Sequence, residues 1–407
     1  MSNSAVRDLT TRTESVLTTS GIDIVKHQHQ KYNLRMHRNS LWNENSSVEW
    51  RSLKTQTPAK AGASCDIVFE DTSFILEEMV LKVTLAQIQN AQRYCRGVQI
   101  LDRVEIYANG GSLLVQTISA DALEGFLPLA LRDEERRALY RNAGGYTDTE
   151  RNTLSQNATG HVRYLPIKTL VDVLHIPLWK IPSLRFRFHF ASRDRMREVI
   201  TDPMANEPVV EVEALVKYRL PTSQQRAVLQ EMFSAPVLQR FVTNRIMPYN
   251  FSALNGKQQL RIRLSSCTGL TPYIYFFITP SDQSIGTSRS DTVAIESCNL
   301  LSSSGTSLVG HRDIERVELE TMRRVSMFPH HPADDSTSLR NVYVLSMCDS
   351  PLSAFSRGQN TGVLDATGSE QLIINVDIGN TNTYVVHIVC AEYQWLEYGP
   401  VSVSLIE

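Results

Sequence analysis

LRFRFHF, Leu184–Phe190, is the stretch that decides the class of fold. Leu184, Phe186, Phe188 and Phe190 share one parity, and Arg185, Arg187 and His189 take the other. A period of two is what a strand shows when one face lies in a core and the other in water. Residues 210–218 repeat it, with Val210, Val212, Ala214, Val216 and Tyr218 set against Glu211, Glu213 and Lys217. A row of aromatics also suits stacking on nucleic-acid bases, but the unbroken apolar parity favours core packing.

Outward from these strands the pattern continues. Upstream, residues 65–70 and 74–88 read as strands, and in the latter Met79, Leu81, Val83 and Leu85 alternate with Val80, Lys82 and Thr84. Val98, Ile100, Val104 and Ile106 share a parity. Asn109-Gly110-Gly111 then predicts a hairpin turn, because Asn and Gly accept positive φ. Ser119 is an N-cap for a helix over residues 120–126, and after Pro128 the sequence reads as helix up to Gly144. A strand follows at residues 161–167. Thr222 and Gln225 form a capping box that starts a helix over residues 223–233.

Beyond that helix the strand pattern begins again, at residues 241–247, 260–264 and 273–278. A long polar region, 279–340, is broken by residues 293–301 and by residues 314–327, which suit helix or strand equally. Strands return at 342–347, 372–378 and 384–393, the last two joined by Gly379-Asn380-Thr381-Asn382, strong turn chemistry. The fold class is therefore mainly β, with two successive strand sets sized for two sandwiches or barrels. The expected divisions are a polar arm over 1–47, a first unit over 48–234 and a second over 235–407.

At 407 residues the chain exceeds the size at which one core stops growing. Its formal net charge of −2 argues against a dedicated nucleic-acid binder. A local basic patch, KHQHQKYNLRMHR at residues 26–38, still offers Lys26, Lys31, Arg35 and Arg38 for phosphates of a genome or of lipid headgroups. No run approaches the roughly 18–20 apolar residues of a membrane span, and no secretory leader opens the chain, so synthesis in a cytoplasm is expected. The six cysteines are spread without a CxxC and read as small buried hydrophobes.

Signals for chemistry are weak. GxSxG, HExxH, phosphate-loop and dinucleotide fingerprints do not occur. Glu318 and Glu320 share a face if residues 317–322 form a strand, and paired carboxylates cleave glycosides, but an exposed charged face explains them without chemistry. His330-His331-Pro332-Ala333-Asp334-Asp335 groups metal-type side chains with the spacing of no zinc or iron site, and reads as a solvated loop. No catalytic residue, metal or cofactor is expected.

A family resemblance runs through several segments. DRVEIYANGGSLLVQTISADAL (residues 102–123) and YLPIKTLVDVLHIPLWKIPSLRFRFHF (residues 164–190) resemble passages of the double jelly-roll major capsid proteins of tailless icosahedral DNA viruses. In the second half TMRRVSMFP (321–329), NVYVLSMCDSP (341–351) and QLIINVDIGNTNTYVVHIVCAEYQWLEY (371–398) are similar to that family in order and spacing. The resemblance implies two tandem jelly rolls with a short linking helix and long inter-strand loops. It further implies a homotrimer that forms a pseudo-hexagonal capsomer, with neighbouring capsomers and minor capsid or vertex proteins as partners. The arm would face an internal membrane or the genome, and residues 120–156, 281–340 and 349–369 would build outer towers. A carbohydrate-binding or glycoside-cleaving double sandwich, and a vertex or spike protein of the same virus, stand as alternatives.

Overall fold

The structure is a computed structural model. It describes residues 47–406 apart from 71, 89–92, 131–132, 168, 170–173, 182, 199–205, 233–236, 282–291, 310–311, 323–340, 349–361 and 400–401. The first sandwich is made of β1 (Ser47–Lys54), β2 (Ser64–Phe69), β3 (Ile75–Leu85), β4 (Leu101–Ala108), β5 (Leu113–Ser119), β6 (His161–Pro166), β7 (Ile176–Pro177), β8 (Leu184–Phe190) and β9 (Val209–Leu220). Helices α1 (Ala120–Ala130), α2 (Asp133–Asn142) and α3 (Asp148–Ser155) lie between β5 and β6, and α4 (Ser223–Met232) follows β9.

The second sandwich holds β10 (Val237–Ser252), β11 (Gly256–Arg263), β12 (Leu270–Thr271), β13 (Tyr273–Pro280), β14 (Ser297–Leu301), β15 (Ile314–Glu315), β16 (Tyr343–Ser346), β17 (Leu364–Asp365), β18 (Gln371–Ile378), β19 (Thr383–Tyr398) and β20 (Val403–Ile406). Helix α5 (Arg316–Met322) continues directly from β15.

Both sandwiches have the same strand order. The first pairs β1-β9-β3-β6 in one sheet, with β7 also on β3, and β2-β8-β4-β5 in the other. The second pairs β10-β19-β13-β16, with β20 on β19, and β11-β18-β14-β15. With the short β7, β12, β17 and β20 set aside, each unit reads first-eighth-third-sixth facing second-seventh-fourth-fifth. That order is the eight-stranded jelly roll, here present twice in one chain.

Alternation places the cores. Leu184, Phe186, Phe188 and Phe190 are buried, as are Met79, Leu81, Val83 and Leu85, so the aromatic row of β8 is core. Phe69 and Phe186 meet edge-on at 5.4 Å. The Asn109-Gly110-Gly111 hairpin forms with positive φ at all three residues. The capping box at α4 forms as expected: the Gln225 amide N–H donates to Thr222 Oγ1 (3.2 Å), and the Thr222 N–H donates to Gln225 Oε1 (2.9 Å).

Several expectations need correction. Val210, expected in the core, is 64% exposed while Val209 is buried. The register between β3 and β9 shifts here, so Leu85 faces Val209; one extra residue in the strand reverses which side chain points inward. Val98 and Ile100 are buried in a 3₁₀ turn ahead of β4 instead of in a strand. Helix α1 runs through Pro128 to Ala130. Residues 314–322 are both things at once, a two-residue strand followed by a helix. Strand β10 extends nine residues' worth of pairing beyond the expected 241–247, through Pro248. As the edge of its sheet, β10 needs ladder hydrogen bonds on one side only, which is where proline is tolerated.

The bulge makes a sharp prediction. Val209→Ala should lower the free energy of unfolding by roughly 1–3 kcal/mol and Val210→Ala by less than about 0.5 kcal/mol. Equal losses in urea titration would show that the register is wrong.

Candidate functional site

Strands β10 and β19 are each 16 residues long, about 50 Å of chain. They pair along their whole length, from Val237 opposite Tyr398 to Ser252 opposite Thr383. One half of this ribbon belongs to the second sandwich, where Met247, Phe251, Val386, Ile388 and Cys390 enter its core. The other half reaches the first sandwich, and Phe241, Leu396, Tyr398 and Val403 join that core instead.

The opposite face of the same sheet is buried as well. Val242, Tyr273, Tyr275, Val389, Tyr393 and Trp395 cluster with Ala122 at the start of α1. The Tyr275 hydroxyl donates to the Ala122 carbonyl at 2.9 Å. At the end of the ribbon, Asn109 in the β4–β5 hairpin grips β20 through both sides of its amide. Its Nδ2 donates to Val403 O (2.7 Å), and its Oδ1 accepts from Val403 N (3.1 Å). These contacts make a wide, mostly apolar seam. Arg240, largely buried there, lies over the Tyr393 ring at 4.8 Å, and burial lowers its pKa.

A polar cluster organises one end of the first sandwich. In an antiparallel jelly roll, the connections β3–β4, β5–β6 and β8–β9 leave from the same end, and here they converge on Glu198, which is buried. Arg93 Nε donates to Glu198 Oε2 at 2.6 Å, Arg151 donates to Oε1, and Arg96 Nε lies 3.8 Å away. Arg93 and Arg151 also reach Asp148, at 3.1 and 2.5 Å. Burial opposes ionisation of Asp148, but the Arg151 hydrogen bond and the charges of Arg151, Arg93 and Arg96 outweigh it and hold its pKa below the usual carboxylate value.

Backbone bonds reinforce the junction: Cys95 N to Met196 O (2.8 Å) and Glu198 N to Arg93 O (3.0 Å). Beneath them Arg163 is fully buried, donating to the Cys95 carbonyl (2.6 Å) and to His161 Nε2 (3.0 Å). Gly144 has φ +111°, and a Cβ there would stand 2.4 Å from Arg163 Nε; only glycine lets the chain pass. Burial pushes the Glu124 carboxyl up. Such a network, costly to desolvate and costly to break, fixes geometry more than it adds stability.

Two signals for this site lay in the sequence. Thr147-x-x-Glu150 is a capping box, and it starts α3. In β6, His161 and Arg163 share the parity of Leu165 and Ile167, and all four are buried while Val162 and Tyr164 are 41% and 39% exposed. The arginine network, by contrast, gathers residues from three distant connections and has no local signature.

Of the residues considered for chemistry, Lys26, Lys31, Arg35 and Arg38 lie outside the described residues, as do His330–Asp335. Glu318 and Glu320 sit in helix α5, where positions two apart do not face each other, so the shared face of a strand does not exist. Glu318 accepts from the Glu315 N–H (3.0 Å) and pairs with Arg312. All six cysteines are buried free thiols; burial pushes Cys65 and Cys298 up to about 12. Among the described residues no three His, Cys, Asp or Glu side chains group as a metal site, and no helix is long and apolar enough to cross a membrane.

No protein-family profile and no curated protein sequence matches the chain. Solved structures do. The PBCV-1 capsid protein VP54, fitted into a reconstruction of the virophage Sputnik, aligns with a TM-score of 0.69 at 12% identity, over 90% of this chain and 98% of that one. The Faustovirus major capsid protein aligns at 0.62 and 8% identity, over 86% and 90% of the two chains. The mavirus major capsid protein gives 0.53 at 10% identity, over 88% and 90%. The fold shared with these proteins is the double jelly roll.

His161 supplies a test of the buried cluster. Its Nε2 accepts a hydrogen bond, so the ring is neutral, and burial followed by the Arg163 charge pushes its pKa down to about 3 from 6.5. The unfolded chain therefore binds a proton below pH 6.5 that the folded chain refuses until about pH 3. Stability from this residue is complete above pH 6.5 and falls on acidification by up to about 1.4 kcal/mol per pH unit. His161→Gln should lose less melting temperature than the parent between pH 7 and pH 5. An unchanged difference would mean that the ring is solvated.

Proposed function

We propose that the protein is the major capsid protein of a tailless icosahedral virus, a structural subunit and not an enzyme. Three copies would form a pseudo-hexagonal capsomer of six jelly rolls, and capsomers would tile the shell together with minor capsid or vertex proteins. One observation carries this reading: the jelly roll occurs twice with the same strand order, in an arrangement that matches viral capsid proteins along about nine-tenths of the chain. The proposed units are 48–234 and 235–407, with 1–47 as the arm. The protein would be made in the host cytoplasm and reside in the virion.

Topology favours a polarity. The β3–β4, β5–β6 and β8–β9 connections, with α1–α3, occupy one end of the first sandwich, and β1 begins at the opposite end. An arm over 1–47 is therefore delivered away from the insertions. Insertions outward and arm inward is the orientation a shell requires, with Lys26, Lys31, Arg35 and Arg38 facing an internal membrane or the genome. In the second sandwich, the β13–β14 and β15–β16 connections share one end, whereas β16–β18, which includes 349–369, leaves from the other. Of the three proposed towers, 120–156, 281–340 and 349–369, the topology supports the first two more than the third.

Sedimentation of the purified protein should give a species with the mass of three chains. A monomer whose melting temperature rises with added glycans would replace this reading with the carbohydrate-binding one, and a fivefold assembly would replace it with the vertex reading. Replacing Lys26, Lys31, Arg35 and Arg38 together by Ala should leave the trimer intact and weaken binding to anionic vesicles or DNA at low salt; unchanged binding to both would remove the arm from that role.

A further inference from the structure

Two of the buried thiols, far apart in sequence, meet in the second core. Cys267 lies in the turn between β11 and β12, where its N–H donates to Leu264 O at 3.0 Å. Cys390 lies near the middle of β19, opposite Arg245 of β10 and Ile274 of β13. Both side chains are fully buried and both belong to the same cluster. Their neighbours hold the two segments together. Glu392 is two residues along β19 from Cys390 and so on the same face. It accepts from the Thr268 N–H at 3.1 Å and from Arg245 Nε at 3.0 Å. Thr268 directly follows Cys267, so the turn is fastened to the strand at this point. The Cys267 sulfur lies 3.2 Å from Thr271 Oγ1, and it accepts a hydrogen bond from the Cys390 thiol.

This pair differs from ordinary core cysteines. Burial pushes Cys65 and Cys298 up to about 12, and thiols of that kind are inert. At Cys267 the hydrogen bond from the Cys390 thiol, helped by Thr271, outweighs burial and the charges of Glu392 and Glu370, and lowers the pKa from its ordinary value. The same hydrogen bond, together with burial, raises that of Cys390. Cys267 is therefore the readier nucleophile of the two. It is also the nearer to water: Ser265, Ser266 and Thr268 around it are exposed, so a small opening of the turn admits a small solute to its sulfur.

We infer that Cys267 and Cys390 form a thiol pair that closes to a disulfide when the folded chain meets a peroxide. The Cys267 thiolate attacks one oxygen of hydrogen peroxide and breaks the O–O bond. This gives a sulfenic acid and hydroxide, which takes up the proton that Cys267 gave up and becomes water. The Cys390 sulfur then attacks the Cys267 sulfur. The S–S bond forms, the S–O bond breaks, and hydroxide leaves with the Cys390 proton as a second water. Two thiols lose two electrons, and one peroxide is reduced to two waters.

The link pins the β11–β12 turn to the centre of the ribbon that joins the two sandwiches. Its ends lie far apart in sequence, so it removes much freedom from the unfolded chain. Residues 281–340 fall inside the closed loop, and a break there no longer separates the two parts of the chain. A reducing cytoplasm keeps the pair open, and an oxidising medium closes it. This inference goes beyond the capsid reading and does not depend on it.

The test is peptide mapping of the full chain. After exposure of the folded protein to hydrogen peroxide, the remaining thiols are alkylated in denaturant and the chain is digested. A peptide joining Cys267 to Cys390 should appear, with Cys65 and Cys298 alkylated, and dithiothreitol should reverse it. The oxidised chain should melt at least about 4 °C higher. Neither the link nor the gain should appear in Cys267→Ala or Cys390→Ala. Recovery of both Cys267 and Cys390 in alkylated form, or of Cys267 joined to a different cysteine or carried on to a sulfinic acid, would overturn the inference. So would an equal gain in melting temperature in either variant.

Discussion

The structure depends on a single ribbon, β10 paired with β19, that is longer than either sandwich needs and is buried on both faces over the half that meets the first sandwich. Strands with one wet face alternate, as β8 does; a strand buried on both faces cannot. From Val389 to Leu396 every residue of β19 is buried, and β13 is buried from Tyr273 through Thr279. That half of the ribbon therefore has no face that water tolerates unless the first sandwich covers it. Burial of this kind, near 25 cal/mol per Å² of apolar surface, is what turns two linked units into one block. The linking helix α4 plays a smaller part, burying Leu229 against the first core.

Polar groups at the seam and at the insertion end serve a different purpose. Asn109 holds β20 by two hydrogen bonds that a neighbouring strand would otherwise supply, and Glu198 holds three connections by accepting from arginines. Neither arrangement is an efficient source of stability, because the groups lose their hydration on burial. Both specify one geometry among many that an apolar contact would allow. Residues exposed at the start of β1, Val48 and Trp50, carry no such polar definition within the chain.

Much of the architecture is written in local pattern, and what escapes is what only long-range contact decides. The parity of β8 and β3, the Asn109 hairpin, the turn at Gly379–Asn382 and the Thr222–Gln225 cap are all short-range signals, and all are realised. Val210 fails because a bulge, which depends on the pairing with β3, inverts one position. Arg163 is buried on the same parity of β6 as Leu165 and Ile167, and only the arginine network gathered from three connections explains a charge there. Strand β1 carries little apolar signal because its outer face is not covered within the chain, where Val48 and Trp50 are exposed. The length of β10 and β19 is visible only once the first sandwich is there to receive them, although the unbroken apolar run Tyr273–Ile278 already marks a strand without a wet side.

If the ribbon unites the two sandwiches, they open together. Native-state hydrogen exchange on the full chain measures this most directly, by comparing the slowest amides of β8 with those of β13 and β19. The account predicts one common opening free energy, with the same dependence on denaturant, for both sets. Exchange of β13 and β19 through a separate opening of lower free energy, while β8 stays protected, would contradict it.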